Sequence, residues 1–166
     1  MVNTEATNYV CGLRHEDFQT IIDGKRTDLY ILKNAKGNEI AFTNYGGAIV
    51  AIMVPDRDGN LANIIQGHDN IHDVINSPEP YLSTLIGRYS NRIAKGHFQL
   101  DGKEYNIAIN NGPNSLHGGK KGFNTKVWDA VQINEHAVVL KYTSPYGEEG
   151  FTGEVEVWVA YSFTDD

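Results

Sequence analysis

The chain is 166 residues long, 40% hydrophobic and 21% charged, with a formal net charge of −7. That length suits one domain with a sizeable core, and the acidic balance argues against a nucleic-acid or anionic-membrane partner, both of which select basic patches. No apolar run is long enough to span a bilayer, and the single cysteine, Cys11, excludes an internal disulfide and a cysteine-based metal cluster.

The first nine residues are polar and are expected to be loosely ordered. They lack the basic-then-apolar pattern of a signal peptide, so a cytoplasmic location is the expectation, with an extracytoplasmic one left open if a leader was removed. Residues 18–22 read as a weak strand ending at Asp23-Gly24. Residues 29–33 (LYILK) and 39–44 (EIAFTN) read as a hairpin across the polar turn between them. Gly46-Gly47 bends the chain into 48–54 (AIVAIMV), apolar on both faces and expected inside. The turn Asp56-Arg57-Asp58-Gly59-Asn60 resembles a calcium loop, but Leu61 stands where an EF-hand needs glycine and Gly67 where its closing glutamate belongs. It reads as a hairpin turn into a return strand over 61–66.

Residues 68–77 (HDNIHDVINS) form the one expected helix, stopped by Pro78. His68 and His72 would share its face at a spacing found in zinc sites. No glutamate base lies between them and each precedes an aspartate, so they read as surface histidines. Residues 82–93 (LSTLIGRYSNRI) are apolar with embedded polar residues, and strand-like segments follow over 96–100 and 104–109, joined by Asp101-Gly102, a strong hairpin signal. Further strands are expected at 127–133 and 137–142. After an open loop over 144–153 comes the clearest strand, 154–163, in which Val155, Val157, Val159, Tyr161 and Phe163 alternate with polar or exposed positions. The class is all-β, a sandwich or barrel-like pair of antiparallel sheets.

Two polar pieces interrupt this rhythm. The loop over 110–123 contains four glycines, a proline and three asparagines together with His117, a side chain that exchanges protons near neutral pH. Gly118 and Gly119 would leave room for a ligand to approach the imidazole. A phosphate loop is excluded, since the G-x-x-x-x-G-K-[ST] spacing is absent. Taken alone, one loop histidine is more often a solvated bystander. The second piece is Gly87-Arg88-Tyr89-Ser90-Asn91-Arg92-Ile93. On a strand, Arg88, Ser90 and Arg92 would share one side, with Asn91 on the other unless a bulge re-aims it. Surface ion pairing is the plain explanation of the arginines, and a polar wall for a ligand with several hydroxyls is the functional one.

These two pieces carry a resemblance. The run from Gly87 through Arg92 to Gly96, then Leu100-Asp101-Gly102-Lys103, Asn111-Gly112, Leu116-His117-Gly118-Gly119, Gly122-Phe123 and Trp128, closely resembles the aldose 1-epimerase (galactose mutarotase) family. Upstream, Thr43-Asn44-Tyr45-Gly46-Gly47 and Val54-Pro55-Asp56 are similar to its N-terminal strands, and Glu149-Gly150-Phe151 with Gly153 to a later loop. The resemblance implies an antiparallel β-sandwich that interconverts α and β anomers of a free aldose such as galactose or glucose, with no cofactor and no metal. It implies that Asn91, Arg92 and His117 bind substrate and that His117 is catalytic, with Arg88, Tyr89 and Phe123 shaping the pocket.

The departure is equally specific. The family's proton-transferring pair is a second histidine and a glutamate from its C-terminal half, and this chain stops at Asp166 before those motifs. Glu148, Glu149, Glu154 and Glu156 do not sit in the context of the family's proton-transferring glutamate, nor His136 in that of its second histidine. The resemblance therefore implies a first half: an N-terminal segment with a weak strand over 1–27, then a sandwich over 28–166 that is incomplete at its C-terminal side. Such a half leaves the 154–163 strand near an unpaired edge, which invites self-association. The 166 residues alone are expected to have little or no mutarotase activity. The alternative reading is a non-catalytic carbohydrate-binding β-sandwich module, and a sugar-phosphate epimerase would want more basic residues than Lys120 and Lys121.

Overall fold

A computed structural model describes residues 9–165, so the polar start lies, but for Tyr9, outside the described residues. The strands in chain order are β1 (Ile21–Ile22), β2 (Lys25–Arg26), β3 (Leu29–Lys33), β4 (Glu39–Thr43), β5 (Ile49–Pro55) and β6 (Leu61–Asn63). A single turn and a half of helix, α1 (Ile71–Ile75), separates these from β7 (Arg92–Ile93), β8 (His97–Leu100), β9 (Lys103–Asn106) and β10 (Ser115–Leu116). The last three are β11 (Asp129–Asn134), β12 (Ala137–Ser144) and β13 (Val155–Ser162). Every pairing is antiparallel, in a four-stranded sheet β3-β4-β5-β6, a three-stranded sheet β11-β12-β13, and three two-stranded ribbons.

The two larger sheets pack face to face because β3 and β4 are apolar on both sides. Leu32 and Phe42 point at β11-β12-β13, where they meet Trp128, Val138, Leu140 and Phe123. Leu29, Ile31 and Ala41 point the other way, onto Phe18 of the N-terminal segment and Ile71 and Val74 of α1. The Tyr161 hydroxyl of β13 crosses between the layers and donates to the Gly47 carbonyl at 2.9 Å. The 29–33/39–44 hairpin forms in the expected register, Leu29 opposite Thr43 and Lys33 opposite Glu39. Its turn is closed by the Asn34 carboxamide, which accepts from the backbone N–H groups of Lys36 and Asn38.

Several expectations shorten. The helix over 68–77 contracts to α1, capped by Asn70, whose side chain accepts from the Asp73 N–H at 2.9 Å. His68 precedes that cap, so His68 and His72 share no helical face. The strand over 18–22 becomes a 3-10 turn at His15–Phe18 followed by β1, because the Thr27 hydroxyl takes the Phe18 carbonyl at 2.7 Å. Of the 48–54 run only Val50 and Ala51 with neighbouring Ala48 are buried, since β6 beside it is short and exposed and covers little. Strand β13 alternates as read, with Val157, Val159 and Tyr161 toward the core and Glu156, Trp158 and Ala160 outward. It pairs with β12 along one side, and its other edge meets no strand among the described residues.

Candidate functional site

The loop over 110–123 is held shut by one side chain. Asn110 accepts from the Leu116 N–H at 2.7 Å and donates to the carbonyls of Leu116 and Gly119 at 2.9 and 2.8 Å. This pinches residues 110–119 into a closed loop whose far side, β10, pairs with β7. The register sets Leu116 opposite Arg92 and Ser115 opposite Ile93. His117 follows Leu116, so the short ribbon brings Asn91, Arg92 and His117 into one neighbourhood across 25 positions of sequence.

Asn91 and His117 then bond reciprocally. The Asn91 backbone N–H donates to His117 Nδ1 at 3.0 Å, and the His117 N–H donates to the Asn91 carbonyl at 3.1 Å. Both residues are left-handed, with φ of 66° and 54°. Such backbone is uncommon for non-glycine residues and concentrates at functional sites. It is also the reason that Asn91 does not fall on the face a regular strand would give it. Because Nδ1 is occupied as an acceptor, the imidazole proton resides on Nε2, which has no partner among the described residues. Burial lowers the His117 pKa from its ordinary value, and the positive charge of Arg92 lowers it further. The ring is steadied from one side by Tyr81, edge-on with centroids 4.6 Å apart. At neutral pH this is a neutral imidazole presenting a donor.

Arg92 is aimed by two amides. Its Nε donates to Asn111 Oδ1 at 3.0 Å and its Nη1 to Asn91 Oδ1 at 3.3 Å. Its remaining guanidinium N–H groups have no partner among the described residues. Arg92 also borders a cleft of about 330 Å³ walled by Tyr89, Ile93, Phe98 and Phe151. The Phe98 ring is stacked on Tyr105, 5.1 Å between centroids.

Two expectations are corrected. Residues 88–91 are not strand, and Arg88 does not join Arg92 on one wall. Its guanidinium instead donates to Ser144 Oγ, Ser144 O, Pro145 O, Thr152 O and Gly153 O. All of its N–H groups are thereby committed to the 144–153 loop. The glycines after His117 leave no room for a ligand either. A Cβ at Gly118 would lie 1.8 Å from the Gly87 carbonyl oxygen, and one at Gly119 2.3 Å from Glu149 Oε2. The protein fills that space with its own backbone and carboxylate. Phe123 is buried against Trp128 and Tyr142 in the core, where it supports Gly87 from below.

Sequence reading gave no role to Asn110, Asn111, Tyr81 or Glu149. The Asn-Asn-Gly-Pro-Asn run signalled a turn, but nothing local revealed that its first amide ties the loop across itself or that the second holds a guanidinium. Among the described residues no group of three or more His, Cys, Asp and Glu side chains is placed to share a metal ion.

Residues 28–166 match the family model for aldose 1-epimerase. Galactose mutarotase from Bos taurus is 46% identical over 119 residues, which is 72% of this chain and 34% of that protein. The human galactose mutarotase is 43% identical over the same span. Aldose 1-epimerase from Escherichia coli K12 is 32% identical over 150 residues, covering 87% of this chain and 41% of its own length. Among solved structures, an aldose epimerase homologue from C. elegans superposes with a TM-score of 0.79 at 25% identity, over 84% of this chain and 42% of that one. Galactose 1-epimerase from Lactobacillus acidophilus gives 0.74 at 23% identity, over 86% and 42%, a likeness of fold alone. The chain thus spans between a third and somewhat over two fifths of the relatives it matches.

Proposed function

Because the chain belongs to the aldose 1-epimerase family, we propose that Asn91, Arg92 and His117 hold a free aldose, such as galactose or glucose, for interconversion of its α and β anomers by acid–base ring opening and closure. The observation that supports this best is the reciprocal Asn91–His117 pairing, which sets an Nε2–H donor beside the Arg92 guanidinium. A sugar offers oxygens that accept from both. Arg92, aimed by its two amides, grips hydroxyls through its remaining N–H groups. Fixing the ring in this way removes much of the entropy from the reacting geometry.

Ring opening removes the C1 hydroxyl proton while the ring oxygen is protonated. Rotation at C1 and closure on the other face, with the roles reversed, gives the other anomer. The bond between C1 and the ring oxygen breaks and re-forms within the sugar while only protons pass between sugar and protein, so no cofactor is called for. His117 serves the reaction as a neutral hydrogen-bond donor that positions and polarises a sugar oxygen, and the proton gained by the ring oxygen comes from another group. The acceptor for the C1 proton is a group other than these three. The Asn91 amide and Arg92 do not take up protons near neutral pH, and the acceptor nitrogen of His117 is occupied. General acid–base groups contribute about 10²–10⁴-fold each, so the 166 residues alone are expected to bind sugar with turnover close to the uncatalysed rate. A cytoplasmic site of action belongs to the same proposal.

One observation favours a second reading, a non-catalytic carbohydrate-binding β-sandwich module: the nearby Glu149 carboxylate packs against Gly119 and accepts the Lys120 backbone N–H, which gives it a part in holding the loop. Both readings are tested together. Galactose and glucose are titrated into the isotope-labelled chain by NMR, and polarimetry follows freshly dissolved α-galactose with the chain, its His117→Ala variant and buffer. Binding that is lost in His117→Ala and Arg92→Ala is the expected result. No perturbation by either sugar at tens of millimolar would overturn the sugar site. Turnover at enzymatic rates by the 166 residues would refute the assignment of the acceptor elsewhere. A whole protein that binds galactose yet leaves mutarotation at the buffer rate selects the module.

A further inference from the structure

The two arms of the site are bridged by a very short ribbon, since β7 and β10 each contribute two residues. A pairing of this length is marginal by itself, and something else must set the distance between Arg92 and His117. The loop over 144–153 touches both arms. At its two ends it receives every N–H of Arg88, four positions before Arg92. In its middle, Glu149 Oε2 accepts the Lys120 N–H at 2.7 Å, three positions after His117. The same carboxylate lies against Gly119, where any side chain would displace it.

The loop is itself anchored. The Ala108 N–H donates to the Glu149 carbonyl at 2.8 Å, and Gly150 lies so close to Asn106 that an added Cβ would be 2.6 Å from its carbonyl oxygen. Glu149 adopts a left-handed φ of 52°, between glycines 147 and 150 that do the same. This backbone aims its carboxylate at the His117 loop. Phe151, two residues on, becomes a wall of the cleft beside Arg92.

We propose that Arg88 and Glu149 are positioning residues, which clamp the 144–153 loop across both arms and so fix Arg92 and His117 in the relative geometry the sugar site requires. Neither touches the sugar in this arrangement. Their effect on function rests on the sugar-binding reading, but their effect on geometry does not. Displacing a holding group by about 1 Å is enough to cost up to about 10²-fold.

The test compares Glu149→Ala and Arg88→Lys with Glu149→Gln, whose amide oxygen still accepts from Lys120 N–H. Two readouts are taken on the full chain after circular dichroism confirms the fold: galactose affinity by NMR titration, and the protonation midpoint of the His117 imidazole. Releasing the clamp opens the His117 loop to water and separates it from Arg92, so the midpoint rises toward that of an ordinary histidine in Glu149→Ala and Arg88→Lys and stays in place in Glu149→Gln. Galactose affinity falls by tenfold or more in the first two variants only. A folded Glu149→Ala protein whose His117 titrates as in the parent would overturn the clamp, whatever happens to sugar affinity. If the midpoints move as expected while the parent itself binds no galactose, the clamp stands and the sugar-site reading falls.

Discussion

Replacing Lys126 by methionine isolates a partly buried ion pair at the base of the 144–153 loop. Lys126 Nζ lies 2.6 Å from Glu148 Oε1, with side chains 18% and 12% exposed. Glu148 also accepts from the hydroxyls of Tyr142, at 2.6 Å, and Ser144. At an effective dielectric constant of about 20 the bare attraction is roughly 6 kcal/mol, and desolvation of the two groups offsets much of it. Breaking such a pair by removing one partner typically costs about 3–5 kcal/mol. The two hydroxyls still solvate the orphaned carboxylate, so about 3 kcal/mol is the expected loss at pH 7. For a chain of this size that lowers Tm by roughly 6–12 °C. The pH dependence carries the sharper sign. Burial pushes the Glu148 pKa up, but Lys126, Ser144 and Tyr142 together outweigh it and hold the carboxyl below its ordinary value. A depressed carboxylate contributes stability that is complete above its unfolded pKa, about 4.3, and is lost as pH falls through the folded value. The gap between parent and Lys126→Met is therefore full at pH 7 and narrows below about pH 4. Thermal melts at both pH values measure it. An equal gap at pH 7 and pH 3.5 would show that methionine acts through packing and that the ion pair contributes nothing.

The remaining expectations concern the site and the sheet edge. Gly118→Ala combines a φ of +91° with a Cβ 1.8 Å from the Gly87 carbonyl oxygen and should cost at least about 2 kcal/mol by urea denaturation. Gly102→Ala, at φ +73° with nothing within 4 Å, should cost about 1 kcal/mol. In Arg92→Leu the His117 midpoint measured by NMR should rise as the neighbouring charge is removed, yet stay below that of an ordinary histidine, because burial is the larger cause of its depression. The edge of β13 that meets no strand among the described residues is proposed as a self-association surface. Sedimentation velocity should show dimers with rising concentration and a shift toward monomer in Ala160→Lys; a concentration-independent monomer would reject this.

The fold was legible wherever one periodicity decided burial. The 29–33/39–44 hairpin and the alternation of β13 follow directly from which residues are apolar and where the turn residues stand, and the structure reproduces both. Legibility ended where side chains captured backbone groups over a distance. Nothing in residues 18–22 announces that Phe18 will end a 3-10 turn begun at His15, with its carbonyl taken by the Thr27 hydroxyl, and leave only Ile21–Ile22 as strand. Nor could the apolar run at 48–54 reveal that its partner strand would be too short to cover it.

The same boundary runs through the site. His117 and the Asn91-Arg92 pair were picked out by residue type and by resemblance, but their geometry depends on features with no local signature. Strand alternation sent Arg88 to the same face as Arg92, and that inference holds only for extended backbone. The left-handed turn at Asn91 breaks the alternation, and it forms because a histidine 26 positions away offers Nδ1 to its N–H. The glycines after His117 were read as space for a ligand, whereas each is required by a particular neighbour of the chain itself: Gly118 by the Gly87 carbonyl, Gly119 by the Glu149 carboxylate. Glycine-rich loops beside a reactive side chain therefore carry two meanings that sequence cannot separate, access for a substrate or close packing of the scaffold that aims the side chain. Here the second applies. On the proposed function, it follows that a sugar reaches His117 from the Nε2 side, since the opposite side of the loop is already occupied by Gly87 and Glu149.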